Sequence, residues 1–342
     1  MQFGVIMMYR NPPQWYRPVQ DVYHDFFDLC VLAEELGINH LWTSEHHFHE
    51  DGWSPSQLPI LAAIAARTRR IRIGTFVLLL PFHNPIRVAE DAATVDIISG
   101  GRLDLAVGPG SDPNDYATFG VPIRQRRPRM HEGLEIIQKC FNEEEFSFKG
   151  KYWNLENVRM TPKPVQRPLP LWVAAMFPKA IEEAGAKGYH LASAPSASLQ
   201  KTYDDALRKA GYDPAQFQRA GLHIGHLAST HEKAWDEIEP HLQWHMKIHF
   251  RAMAAAENMN LRMGSDMAIP PLGELRKSGR GPYGPVYVGT PDEVIKMLEQ
   301  ELKTNPMTQI VFSMDSPGMD PRHMQSSLEL FAKEIMPHFR NR

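Results

Sequence analysis

The feature that most constrains this chain is a rhythm. Short β-rich runs alternate with amphipathic helical stretches along nearly its whole length. The runs are 2–7, 39–44, 71–80, 102–108, 170–175, 189–193, 220–228 and 308–314. The stretches between them carry helical spacing. In 21–37, Val22, Phe26, Leu29, Ala33 and Leu36 recur at three- and four-residue steps, and Gly37 supplies a stop. In 85–99, Pro85 sits in the first turn and Gly100-Gly101 follows the last. Helices are also expected over 56–68, 128–141, 178–188, 197–211, 230–256, 291–303 and 321–336. Alternation of this kind predicts a parallel sheet. Eight such units fit a closed (β/α)8 TIM barrel, and 342 residues leave room for one large insertion. The irregular stretch at about 257–285, rich in Met, Gly and Pro, places that insertion late in the barrel, within a single domain over 1–342. A doubly wound open sheet is the alternative. It would use a G-x-G-x-x-G turn or a Walker loop, and no strand is followed by one.

Composition trims the function classes. A formal net charge of −3 gives no broad attraction to nucleic acid or to an anionic membrane. The arginine run at 124–129 reads as a solvated surface. Cys30 and Cys140 stand in separate helical stretches as small apolar residues, with no disulfide framework or cysteine zinc motif. No run approaches a membrane span, and the N-terminus lacks the features of a signal peptide. A soluble cytoplasmic protein is expected.

In such a barrel the chemistry gathers where the strands end at their C-terminal side. After the second strand comes 43-TSEHHFHEDGW-53, with three histidines, two glutamates and an aspartate. His46 and His47 are adjacent, and neighbours on an extended strand point to opposite sides, so both rarely ligate one ion. His47 and His49 could share a face, but no HExxH-type motif accompanies them, and no metal is expected. Two readings stay open from the residues alone. One is polar groups converging on a ligand, which the position favours; the other is a loop that only meets water. After the fifth strand, Ala174-Ala175 would let a ligand approach the backbone. Pro178 opens a helix whose start attracts phosphate, and Lys179 could add charge. Arg129 begins the helix after the fourth strand and either reaches the same region or lies on the surface. His83 and Asn84 read as cap residues, and His223 and His226 as core histidines. Arg102 and Asp104, at the start of the fourth strand, belong to the opposite, stabilising end of the barrel.

The segments 37-GINHLWTSEHHF-48, 73-IGTFVLLLPFHNPIRVAED-91, 99-SGGRLDLAVGPG-110, 119-FGVP-122, 129-RMHEGLEII-137, 171-LWVAA-175 and 288-VGTPDEVI-295 together resemble the bacterial luciferase-like flavin-dependent monooxygenases. Their order and spacing agree with that family over nearly the whole chain. The resemblance implies a (β/α)8 barrel whose late insertion borders the substrate pocket. It implies reduced FMN delivered by a separate flavin reductase, dioxygen as co-substrate, and oxygenation of a small, apolar organic compound through a flavin 4a-peroxide. It also implies a homodimer. Carried over by position, His46 matches a histidine near the reactive flavin, with Glu45 and His47 beside it as catalytic candidates. Thr75, Phe76 and Val77 match a strand end along the isoalloxazine, which often contains a non-proline cis peptide bond. Gly108 matches the strand end under the ring, and Arg129 an arginine near the phosphate. Ala175, Met176 and Lys179 complete the cofactor-binding set. Two departures stand out. Many family members have arginine where this chain has Pro109, and Ser-Ser or Glu-Ser where it has Met176-Phe177. Both remove expected phosphate contacts. They leave room for a deazaflavin-dependent hydride-transfer enzyme, or for a non-enzymatic flavin-binding protein.

Overall fold

A computed structural model describes residues 1–194, 196–257, 273–281 and 284–340. Numbering only the barrel strands, β1 is Gln2–Met7, β2 His40–Thr43, β3 Arg72–Thr75, β4 Leu103–Gly108, β5 Leu171–Val173, β6 His190–Leu191, β7 Ala220–Leu227 and β8 Gln309–Ser313. The longer helices are α1 Val19–Glu35, α2 Gln57–Arg67, α3 Pro85–Ser99, α4 Arg126–Asn142, α5 Pro178–Ala186, α6 Ala197–Lys209, α7 His231–Glu257, α8 Pro291–Thr304 and α9 Pro321–Leu330. Every barrel pairing is parallel. The order runs β7-β8-β1-β2-β3-β4-β5-β6. A single parallel bridge between Leu191 and Arg219 joins β6 back to β7 and closes the ring. The eight expected strands are thus the eight of the barrel. Tyr287–Gly289 adds a short strand along the upper end of β7.

Strand alternation splits the core in two. Phe3, Val5 and Met7 of β1 point outward into the large layer between sheet and helices. Ile6 and Met8 point to the barrel axis, where they meet Trp42, Ala106, Trp172, Ala192, Ala220 and Val311. The two fully buried indoles, Trp42 and Trp172, cross edge to face at 5.3 Å and plug the barrel. Gly74 makes this possible: a Cβ there would lie 2.4 Å from the Trp42 ring. The indole N–H groups donate to Gln309 and Asp104, so the plug leaves neither donor stranded. Below it, Arg102 donates to the carbonyls of Ala65, Thr68, Ile71 and Ser99, tying the C-terminal ends of α2 and α3 to the sheet. The stability role expected of Arg102 and Asp104 matches these contacts.

Three features differ from the sequence reading. The run 71–80 is not one strand. β3 ends at Thr75, the Phe76–Val77 peptide is cis, and pairing with β4 resumes at Leu78. Three residues, Thr75 to Val77, oppose two on β4, which is a bulge. The Thr75 hydroxyl fills the interrupted ladder. It donates to the Ala106 carbonyl at 2.6 Å and accepts from the Ala106 N–H at 2.8 Å. Second, an antiparallel hairpin, Phe146–Lys149 with Asn154–Val158, follows α4, and the sequence reading had no element there. Third, a short helix, Pro113–Thr118, follows β4 behind an Asp112 N-cap. Most of the stretch 257–285 lies outside the described residues. Its described part holds a short helix, Glu274–Ser278, and a small antiparallel pair, Arg280–Gly281 with Gly284–Pro285.

Candidate active site

The loop after β2 folds back on itself. His46 N–H donates to the Ser54 carbonyl, and the Ser54 hydroxyl donates to the Ser44 carbonyl at 2.7 Å. Ser54 N–H in turn donates to the carbonyl of Met8, at the end of β1. This return brings Trp53 against His46. Their rings stack at 3.6 Å with 24° between planes, and the indole N–H donates to Ser44 Oγ at 2.9 Å. The Arg10 guanidinium lies 3.9 Å from the Trp53 ring centre. Arg10 Nε donates to Asp51 Oδ2 at 2.7 Å, and Trp244 Nε1 donates to the same oxygen at 3.1 Å. Asp51 is therefore not part of a wet loop. Its side chain is fully buried in an ion pair with Arg10 that stands behind the His46–Trp53 stack. Glu50 is exposed and His49 half-buried, as a solvated loop would have them.

Glu45 and His47 point the other way. Glu45 Oε1 accepts from His47 Nε2 at 2.9 Å and from His83 Nε2 at 2.8 Å, and Oε2 accepts from Leu79 N–H at 3.1 Å. Burial alone would raise the Glu45 carboxyl. The hydrogen bonds from His47, His83 and Leu79 outweigh it and hold the group below its ordinary value, as a carboxylate. His47 also stands edge-on to Phe119 at 4.8 Å, in an aromatic patch with Phe82. His83 is thus a partner of Glu45, while Asn84 does the capping of α3.

His46 faces a cavity of about 500 Å³ at the mouth of the barrel. Its ring forms no hydrogen bond within the described residues, so its nitrogens are open to a ligand. Burial, reinforced by the charges of His49, Arg10, His245 and His47, pushes its pKa well below the usual imidazole value, so the ring is neutral at pH 7. Met8, Ser44, Trp53 and Phe76 wall the same side. Across the cavity the wall is made of small residues, Ala174, Ala175, Ala192 and Ala194. A space lined by rings and by methyl groups suits a planar ligand.

The remaining candidates fall in three places. Phe76, Ala175 and Met176 line the cavity with His46. Thr75, Val77 and Gly108 build the wall behind it: a Cβ on Gly108 would sit 2.5 Å from Val77, so only glycine lets the bulge pack there. Lys179 is exposed in the first turn of α5, which no side chain caps. Arg129 stands apart from the cavity. It donates to Gln125 and lies over the Tyr152 ring at 4.8 Å, next to the hairpin. Arg127 joins Lys179 near the start of α5, 5.8 Å from the Phe177 ring. The Pro109 carbonyl takes the Tyr116 hydroxyl. Among the described residues no group of three or more His, Cys, Asp or Glu is placed to hold a metal ion, and no helix is long and apolar enough to cross a membrane. The sequence reading passed over Arg10 and Trp53 and placed Asp51 in a solvated loop. A charge at the end of β1 and an Asp two residues before a Trp were the available signals.

Residues 1–306 match the family described as luciferase-like monooxygenase, and the chain belongs to it. A monooxygenase structure, RslO1 from Streptomyces bottropensis, superposes with a TM-score of 0.85 at 27% identity, covering 99% of this chain and 100% of that one. The oxygenase component of flavin-dependent trigonelline monooxygenase from Acinetobacter baylyi is 26% identical, over 94% of this chain and 91% of its own. An F420-dependent glucose-6-phosphate dehydrogenase from Amycolatopsis mediterranei is 27% identical, over 92% and 94%. The protein is an oxidoreductase of the luciferase-like monooxygenase class, with a flavin-type cofactor.

Proposed function

We propose that the protein is the oxygenase of a two-component system. It takes reduced FMN from a separate flavin reductase and uses dioxygen to oxygenate a small, largely apolar organic substrate. The observation that carries this reading is the neutral, unbonded His46 ring, stacked on Trp53 and facing a slot walled by alanines. The residues fit a flavin. The slot accepts a planar ring system, Phe76 and His46 bound one side, and the uncapped start of α5 with Lys179 and Arg127 offers positive potential for a phosphate. When bound, reduced flavin supplies the electrons that activate dioxygen.

The chain's own contribution is threefold. The cavity walls around Trp53, Phe76 and Met8 exclude water from the reacting groups. The Arg10–Asp51 pair fixes Trp53 and so orients His46. His46, neutral at working pH, accepts or returns one proton at a ring nitrogen facing the cavity. Glu45 and His47 act from behind, holding the loop rather than reaching the ligand. A cytoplasmic homodimer, built of one domain over 1–342, completes the proposal.

Anaerobic titration with reduced FMN and with a reduced deazaflavin, followed by rapid mixing with oxygen, tests it. FMN is expected to bind, and its reoxidation is expected to slow relative to free flavin. With substrate present, label from ¹⁸O₂ should enter the product. Deazaflavin binding without oxygen uptake would favour the hydride-transfer reading suggested by the F420-dependent relative. Tight binding of oxidised FMN with no product would favour flavin storage.

A further inference from the structure

The cavity touches both faces of β7. By strand alternation Leu222 and Ile224 fall on the same face as Ala220, and Gly221 and His223 on the other, yet all four line it. An intact sheet would keep a cavity on one face. The seam beside β7 is open instead. Its other edge pairs with β8 from Ala220 to Ile224, but among the described residues β6 meets it only at the Leu191–Arg219 bridge. Just above that bridge Gly221 is closely packed, since a Cβ there would lie 3.0 Å from Ala194 and 2.5 Å from the Met307 sulfur. The lining on both faces of β7, together with Tyr287, Glu301 and Asn305, outlines a side branch of the main cavity beside this strand.

The branch has an apolar throat and a polar end. Leu222 is 36% exposed, bare surface on a strand otherwise buried. At the far end stand His223, Tyr287, Glu301 and Asn305. Glu301 is held by the Tyr287 hydroxyl and by Asn305 Nδ2, the latter at 2.7 Å. His223 is 9% exposed, packed against Tyr287 at 4.7 Å and Phe312 at 5.7 Å, and its Nε2 is buried with no hydrogen-bond partner. A buried polar atom left unmet is costly, and a ligand that meets it gains accordingly. Burial holds the His223 pKa down to about 4, so the ring is neutral at pH 7. A neutral imidazole exists in two tautomers, and a hydroxyl, which both donates and accepts, satisfies either.

We propose that this side branch is a substrate subsite: it seats the hydroxyl-bearing end of a ligand whose apolar body runs along Leu222 and Ile224 toward His46. The word substrate rests on the function proposed above; the binding itself does not.

Two probes of equal shape, 2-naphthol and 2-methylnaphthalene, test it by equilibrium dialysis against the full chain, alongside an FMN titration. The wild type should bind the naphthol about tenfold more tightly, as one buried hydrogen bond allows. His223→Phe should bring the two affinities together and leave FMN affinity unchanged. Glu301→Gln, a milder change on a partly exposed helix position, should reduce the preference severalfold and serves if His223→Phe fails to fold. A preference untouched by both variants, or no binding of either probe, overturns the proposal. Loss of FMN binding in the wild type with the naphthol preference intact would refute the flavin reading and leave the subsite standing.

Discussion

His46 and His47 are joined by one peptide bond and live in opposite surroundings. His46 faces the barrel mouth, stacked on an indole with a guanidinium nearby and no carboxylate on its ring. His47 faces the helices and shares the buried Glu45 carboxylate with His83. The inner ring is kept neutral and available; the outer one is committed to a structural ion cluster. Alternation along a strand is what separates them. The general lesson is that a run of polar residues at a strand end is two sites rather than one, with odd and even positions answering to different neighbours.

Breaking the inner side should have the largest effect. Asp51→Ala removes the carboxylate of a fully buried ion pair and should cost about 3–5 kcal/mol in urea unfolding. A loss below about 1 kcal/mol would mean that the pair is not buried in solution as described. Breaking the outer side should cost less. Glu45→Gln keeps an acceptor but loses charge-assisted bonds from two imidazoles, for about 1–3 kcal/mol. The pH dependence gives its signature. The folded Glu45 carboxyl lies below its ordinary value of 4.5, so its contribution is complete above that pH and lost as pH falls through the folded value. The variant should lack that acid-side loss, while FMN affinity changes little.

A third measurement sharpens the contrast. His46 takes up a proton in the unfolded chain near its ordinary value of 6.5 but not in the fold, so it makes stability decline as pH drops below about 6.5. NMR of the imidazole nitrogens should show a neutral His46 ring at pH 6, and a titration at 6.5 in the native protein would contradict the enclosed stack. The smallest effect is expected at Arg129, which tests whether the hairpin contact is its main role. Arg129→Ala removes a half-exposed cation–π contact with Tyr152, worth about 0.5–1 kcal/mol, and should leave FMN affinity near wild type. A large loss of FMN binding would return Arg129 to the phosphate.

The barrel was legible because its signal is local and repeated: each strand and each helix carries its own period. Arg102 was legible by position alone, at the foot of β4. The bulge at Thr75–Val77 was not, since 76–80 is a continuous apolar run after Thr75 and an extra residue leaves no trace in such a run. The hairpin Phe146–Lys149 with Asn154–Val158 was hidden by charged and amide residues on its exposed faces. At the site, the histidines announced themselves, but which carboxylate served which ring did not. Glu45 reaches His83 across 38 positions, and Asp51 reaches Arg10 across 41. Those distances are closed only by the fold.

The Arg10–Asp51 pair has a consequence for how this sequence can change over time. Either residue alone is trapped by the other, because losing one strands a buried charge. Losing both for apolar residues of similar volume is far cheaper. Positions 10 and 51 should therefore drift as a unit among relatives: charged together or apolar together, with mixed states rare. An alignment deep enough to count those combinations would show the ion pair as a correlation between two columns.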